Sequence, residues 1–223
     1  MAAIIEMNDV SKTYYPYKDV PVPALSGLNL SVQEGEMLAI YGVSGSGKST
    51  LLHIIGGLDC VTSGEYRFDG IEMSAQKESQ RARIRNESIG FVLQDFGLIS
   101  HRSAIENIMV PIMFSKIPYH QGIQKGRELL EELGIKTLEK RKIYQMSGGQ
   151  KQRVAIARAL MTDPKLILAD EPSGSLDSST KLEIYSIFET LKRQGKTIIV
   201  VTHDRDISTI ADRVLTMRDG RLY

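Results

Sequence analysis

The stretch Gly42-Val43-Ser44-Gly45-Ser46-Gly47-Lys48-Ser49 constrains this chain more than any other. It fits the pattern Gly-x-x-x-x-Gly-Lys-Ser of a P-loop. Its flanks agree: the apolar segment Met37–Tyr41 reads as a strand, and Leu51, Leu52 and Ile55 follow at helical spacing. Glycines at these places let backbone N–H groups converge on phosphate oxygens without side-chain obstruction. The N-terminus of the helix then faces the anion. Lys48 is placed to reach the β- and γ-phosphates, and the Ser49 hydroxyl to ligate Mg²⁺. A chain built around this unit is expected to be an α/β protein that binds a nucleotide.

The rest of the chain is consistent with one such domain. Its 223 residues suffice for a sizeable core. Lys plus Arg number 28 against 27 for Asp plus Glu, so no basic excess points to nucleic acid and no nucleic-acid partner is expected. Cys60 stands alone, which excludes an intrachain disulfide and suits a reducing compartment. The N-terminus lacks the basic flank of a signal peptide. The longest apolar stretches, residues 51–58 and 197–201, fall far short of the ~18 apolar residues of a spanning helix. A soluble cytoplasmic chain is expected.

Up to about Leu93 the chain reads as short strands and turns. Leu28, Leu30 and Val32 alternate with polar residues, residues 33–36 make a turn, and Asp69-Gly70 closes a hairpin after a strand over residues 64–68. From about Asp95 to Met161 the texture is helical, with Leu129, Leu130 and Leu133 on one face and Gly134 as a C-cap. Beyond Asp163-Pro164 the rhythm is strand, helix, strand: residues 166–169 are apolar, Leu182, Tyr185, Phe188 and Leu191 recur every three residues, and residues 197–201 are β-branched. That order implies a parallel sheet with crossover helices.

Two further motifs carry chemistry. Leu166-Ile167-Leu168-Ala169-Asp170-Glu171-Pro172 delivers two carboxylates at the end of an apolar strand, where ligands bind in open α/β sheets. Beside a P-loop, Asp170 is expected to hold the Mg²⁺ shell and Glu171 to act as general base towards the attacking water. Ser147-Gly148-Gly149-Gln150 opens a helix in which Ser147 is a good N-cap and two glycines leave first-turn N–H groups bare. An exposed helix end followed by Lys151-Gln152-Arg153 is what the γ-phosphate of a second nucleotide would want.

In this order the motifs resemble those of the ABC ATPases over essentially the whole chain. Ser147, Gly148, Gly149 and Gln150 resemble the ABC signature. Gln94, after Ile89-Gly90-Phe91-Val92-Leu93, resembles the Q-loop glutamine, a Mg²⁺ ligand that senses the membrane subunits. Gly174-Ser175-Leu176-Asp177 resembles the D-loop at the dimer seam, and His203 the switch histidine that contacts the γ-phosphate. Tyr14 falls where the family stacks an aromatic on adenine, with Tyr15 and Tyr17 as competitors. Met146, Ser173 and Ser175 depart from the residues usual at their places, and none of these removes a catalytic group.

The resemblance implies a RecA-like P-loop NTPase core with an antiparallel β subdomain and an inserted α-helical subdomain. Residues 1–94 and 162–223 would form the core with the β subdomain, and residues 95–161 the helical one. It implies an ATPase in which Lys48, Glu171 and His203 are catalytic. ATP would contact Tyr14, Gly42, Val43, Ser44, Gly45, Ser46, Gly47, Lys48, Ser49, Thr50, Gln94 and Asp170, together with Ser147 to Gln150 of a partner. Mg²⁺ would sit on Ser49, Gln94 and Asp170. A homodimer closing head-to-tail around two Mg-ATP is expected, bound to an integral membrane permease at the cytoplasmic face of the membrane.

Ile55-Gly56-Gly57-Leu58-Asp59, Thr62-Ser63-Gly64-Glu65 and Ile89-Gly90-Phe91-Val92 resemble the branch of lipoprotein release, macrolide efflux and antimicrobial-peptide export; Val61 departs from its usual proline. With Tyr223 just past the turn Arg218-Asp219-Gly220-Arg221, no regulatory domain of the sugar-importer kind is expected. An importer subunit and a non-transport ABC ATPase are the alternatives. A GTPase would want an Asn-Lys-x-Asp motif, which is absent.

Overall fold

The computed structural model describes residues 3–17 and 20–223. Strands β1 (Ala3–Tyr17) and β2 (Val20–Gln33) form a long antiparallel hairpin, β3 (Met37–Tyr41) enters a second sheet, and α1 (Lys48–Ile55) follows the P-loop. Strands β4 (Ser63–Phe68) and β5 (Ile71–Glu72) return to the first sheet. Helix α2 (Glu78–Ser88) then leads into β6 (Ile89–Val92). Helices α3 (Ala104–Ile108), α4 (Tyr119–Glu132) and α5 (Gly148–Leu160) come next, joined by short 3₁₀ turns. The chain finishes with β7 (Leu166–Asp170), α6 (Ser178–Arg193), β8 (Thr197–Thr202), β9 (Arg213–Arg218) and β10 (Arg221–Leu222).

One sheet is antiparallel in the order β2-β1-β4-β5; the other has the order β10-β9-β3-β8-β7-β6, parallel from β9 to β6. The central parallel strands have both faces covered, which is why they read as continuous apolar runs. Leu38, Ile40, Leu166, Leu168, Ile199 and Val201 point into a core shared with α1 and the antiparallel sheet. Met37, Ala39, Ile167, Ala169, Ile198 and Val200 point the other way, into a core with the α3–α6 helices. At Asp69 and Gly70 both φ angles are positive, 51° and 73°, as a tight two-residue hairpin requires. Gly134 ends α4 at φ 69° in the left-handed C-cap conformation.

One expectation needs correction. The stretch up to Leu93 is not all strands and turns, because α2 lies within it. That helix buries none of its residues and is laced by Glu78 with Arg81 and Arg85 and by Arg83 with Glu87, so it has no apolar stripe to betray it. On α6, Leu182 is 63% exposed, and the buried face is Ile184, Tyr185, Phe188 and Leu191. A strict three-residue spacing drifts by ~60° per step on a helix of 3.6 residues per turn, which carries Leu182 about 180° away from Leu191.

Candidate active site

Parallel strands in register bring four loops to one edge. Tyr41 pairs with Thr202, Val201 with Asp170, and Ala169 with Val92. The segments that follow these strands therefore converge: the P-loop after β3, Asp170-Glu171 at the end of β7, His203 after β8 and Gln94 after β6. Together they line a cleft of about 550 Å³ with Gly42, Ser44, Gly45, Gly47, Lys48, Ser49, Thr50, Gln94, Asp170, Glu171 and His203. This is the crevice at the carboxyl ends of the strands where open α/β sheets take ligands.

The P-loop is built for an anion. Helix α1 starts at Gly47 without a side-chain cap and without an acidic residue in its first turn, so its leading N–H groups lack a partner from that quarter. Gly47 has φ 108°, and a Cβ there would lie 2.7 Å from the Ala24 carbonyl, so glycine is required twice over. Lys48 is almost fully buried, and its Nζ donates to the Gly42 and Val43 carbonyls at 2.6 and 3.0 Å. The ammonium is thus folded back over the loop. Val43 turns its side chain to solvent, and Ser46 is buried beneath the loop with a hydroxyl that has no partner among the described residues.

At the acidic pair, the Ser49 hydroxyl donates to Asp170 Oδ2 at 3.4 Å. Burial, reinforced by the charge of Glu171, pushes the Asp170 carboxyl above its ordinary range. Glu171 sits at φ 44° with its N–H on the Val201 carbonyl, which turns its side chain towards the end of β8. There its Oε2 accepts from the Thr202 hydroxyl at 2.8 Å, and its Oε1 accepts the His203 N–H at 3.0 Å and meets His203 Nδ1 at 2.9 Å.

Two groups of sequence candidates stand apart from the cleft. Ser147, Gly148, Gly149 and Gln150 lie at the start of α5, where Ser147 and Gln150 cap each other. Besides leaving N–H groups bare, the glycines permit close packing: a Cβ on Gly148 would press on Leu176, and one on Gly149 would overlap the Thr180 methyl. Tyr14 lies opposite Val22, whose neighbours Pro23 and Ala24 also line the cleft. Its hydroxyl donates to Asp59 Oδ2 at 2.8 Å, and Lys12 Nζ, bonded to Asp59 Oδ1 at 2.6 Å, sits 4.8 Å from its ring centroid. Tyr15 and Tyr17 are largely in solvent.

Sequence reasoning passed over three features: the cleft wall at Val22, Pro23 and Ala24, the Thr202 hydroxyl on Glu171, and Arg158. The last reaches from α5 to donate to the Phe96 and Gly97 carbonyls just beyond Gln94. A cation set among Val154, Ile156, Ala157 and Leu160 was the one visible signal, since such a group needs an acceptor.

Residues 25–174 match the family model described as ABC transporter. The chain is 48% identical over 219 residues to an ABC transporter ATP-binding protein, YvrO, of Bacillus subtilis, covering 98% of this chain and 95% of the relative. It is 42% identical over 222 residues to the macrolide export ATP-binding/permease protein MacB of Escherichia coli, covering all of this chain and 34% of that one. It therefore spans about a third of the MacB relatives. The dimeric structure of the ATP-binding cassette MJ0796 in a post-hydrolysis state, bound to ADP and Pi, superposes with a TM-score of 0.89 at 38% identity, covering 98% and 96% of the two chains. With a family model running from the β hairpin through the acidic pair, and with relatives matched end to end, the chain belongs to the ABC transporter family as one of its ATP-hydrolysing cassettes.

Proposed function

We propose that the chain works as a head-to-tail homodimer around two Mg-ATP and drives a membrane permease that exports a drug-like, peptide or lipoprotein substrate. The observation that carries this is the division of the machinery. The cleft holds the P-loop, Gln94, Asp170, Glu171 and His203, while the signature helix start lies outside it. A second copy would supply Ser147 to Gln150 to the γ-phosphate. MJ0796, similar over the whole chain, is itself described as dimeric.

In this reading Lys48 leaves its loop carbonyls for the β- and γ-phosphates, Glu171 accepts a proton from the attacking water, and His203, its Nδ1 against Glu171, turns its ring to the γ-phosphate. Ser49, Gln94 and Asp170 offer hard oxygen donors, and no cluster of three or more His, Cys, Asp or Glu suited to a metal occurs among the described residues. That set fits a Mg²⁺ held mainly by phosphate and water oxygens. The ion would neutralise charge on the phosphates.

Support for a membrane partner comes from a second cleft of about 690 Å³, between α2 and the segment after α3, whose lining includes Val110, Pro111 and the exposed Phe114 and Leu58. No helix among the described residues is long and apolar enough to cross a membrane. The chain would thus sit at the cytoplasmic face through that partner. The export direction leans on the macrolide-export relatives. Phosphate release by the purified chain tests the reading: it should require Mg²⁺ and rise when the permease is added. Absent release under both conditions would sink it.

Tyr14→Ala should weaken ATP binding by the ~1–3 kcal/mol typical of base–aromatic stacking. Asp59 and Lys12 already hold the ring of Tyr14 in place. Tyr15→Ala should leave affinity unchanged. A titration with a fluorescent nucleotide distinguishes them, and the reverse pattern would move the stacking role to Tyr15.

A further inference from the structure

The two segments that carry Glu171 and His203 are joined through a third residue that belongs to neither. Tyr185, on the buried face of α6, places its hydroxyl 2.9 Å from Ser173 Oγ and 2.7 Å from Asp204 Oδ2. Ser173 follows Glu171 by two residues and is buried; Asp204 follows His203 directly. An ionised Asp204 can only accept, so Tyr185 donates to it and the Ser173 hydroxyl donates to Tyr185. Burial alone would raise the Asp204 carboxyl, but the Lys181 ammonium, the Asp206 N–H and the Tyr185 hydroxyl outweigh it and hold it below the usual range.

Beyond Asp204 the chain of bonds returns to the base. The Asp204 N–H donates to Thr202 Oγ1 at 3.0 Å, and that hydroxyl donates to Glu171 Oε2 at 2.8 Å. The circuit thus runs from Glu171 along the backbone to Ser173, across Tyr185 to Asp204, and through Thr202 back to the Glu171 carboxylate. His203 lies within it, its N–H on Glu171. Lys181, one turn before Tyr185, clamps the same end from Asp204 Oδ2 at 2.8 Å and Asp206 Oδ2 at 2.5 Å.

We propose that Tyr185 is a positioning residue for hydrolysis: its hydroxyl locks the segment of Glu171 to the segment of His203, so that base and histidine keep one register. The inference rests on the proposed roles of those two residues. Buried hydrogen bonds to a charged acceptor are among the stronger ones, and among the described residues the Ser173 hydroxyl has no other partner. In Tyr185→Phe the ring still packs and Lys181 still holds Asp204, so the fold should survive while the register loosens.

Steady-state hydrolysis by four proteins tests it: wild type, Tyr185→Phe, Ser173→Ala and the double variant. Tyr185→Phe should lower kcat about tenfold and leave KM for ATP within about twofold, since the P-loop contacts are not part of the circuit. Ser173→Ala should lower kcat in the same direction. The double variant should be no slower than the worse single one, because both break one link. Losses that multiply, or a rise in KM with no change in kcat, would mean the hydroxyl only packs. The same holds if Tyr185→Phe and Ser173→Ala both turn over like wild type. Glu171→Gln separates the two levels. If it abolishes turnover while Tyr185→Phe does not slow it, the coupling alone is wrong; if Glu171→Gln still turns over, the assignment of the base falls and the inference with it.

Discussion

Lys48→Ala is expected to lose ATP affinity by at least about 100-fold, and hydrolysis with it, while the fold survives. Lys48 Nζ sits almost out of solvent at the head of α1, bonded to the carbonyls of Gly42 and Val43. Charge-assisted hydrogen bonds to phosphate are worth ~1.5–3 kcal/mol each, and a buried ammonium reaching two phosphates loses both on truncation. Two mild losses act on the free protein: the loop carbonyls lose their donor, and a short cavity opens beside α1. Neither touches the Leu51, Leu52, Ile54 and Ile55 contacts that seat the helix. Thermal unfolding should therefore show a small shift without nucleotide, and added ATP should no longer raise the midpoint as it does in wild type. Normal ATP affinity in this variant would mean that the phosphates bind elsewhere.

How far the chain could be read in advance follows from the range over which each signal acts. The P-loop and the acidic pair are local, and their convergence follows once the strand–helix–strand rhythm implies a parallel sheet with all carboxyl ends on one edge. Helix α2 stayed hidden because its stability comes from surface ion pairs and caps rather than from a buried stripe. The signature glycines were legible as a helix start, but not as a packing surface for Leu176 and Thr180, which lie beyond α5 in sequence. Tyr185 read as one more core residue of α6. Its hydroxyl bonds depend on how α6 sits against two separate strand ends, and no local pattern reports that. The same limit applies to Tyr14, whose clasp by Asp59 spans 45 residues of chain.

Glu171→Gln should stop turnover by about 100-fold or more and trap an ATP-bound dimer. The amide has nearly the shape of the carboxylate, so one oxygen can still accept from the His203 N–H, and the site should keep its form. What is lost is a group able to take a proton from water. The substitution also removes a negative charge beside the triphosphate, which favours closure of two copies on ATP. If the γ-phosphate bridges the P-loop of one copy and Ser147 to Gln150 of the other, ATP links the halves, and their association follows ligand binding. On sizing, the variant should run as a dimer with Mg-ATP, whereas wild type with ADP should run as a monomer. Ser147→Arg added to the variant should abolish the dimer, because a bulky side chain would stand between the helix start and the partner's phosphate. That change also removes the Ser147 cap on Gln150, worth ~1 kcal/mol, so ATP binding by the double variant is the control that its fold is intact. Hydrolysis at the wild-type rate would remove Glu171 as the base. A monomer with ATP bound would remove the shared site, since nothing would then link the two copies through the phosphate.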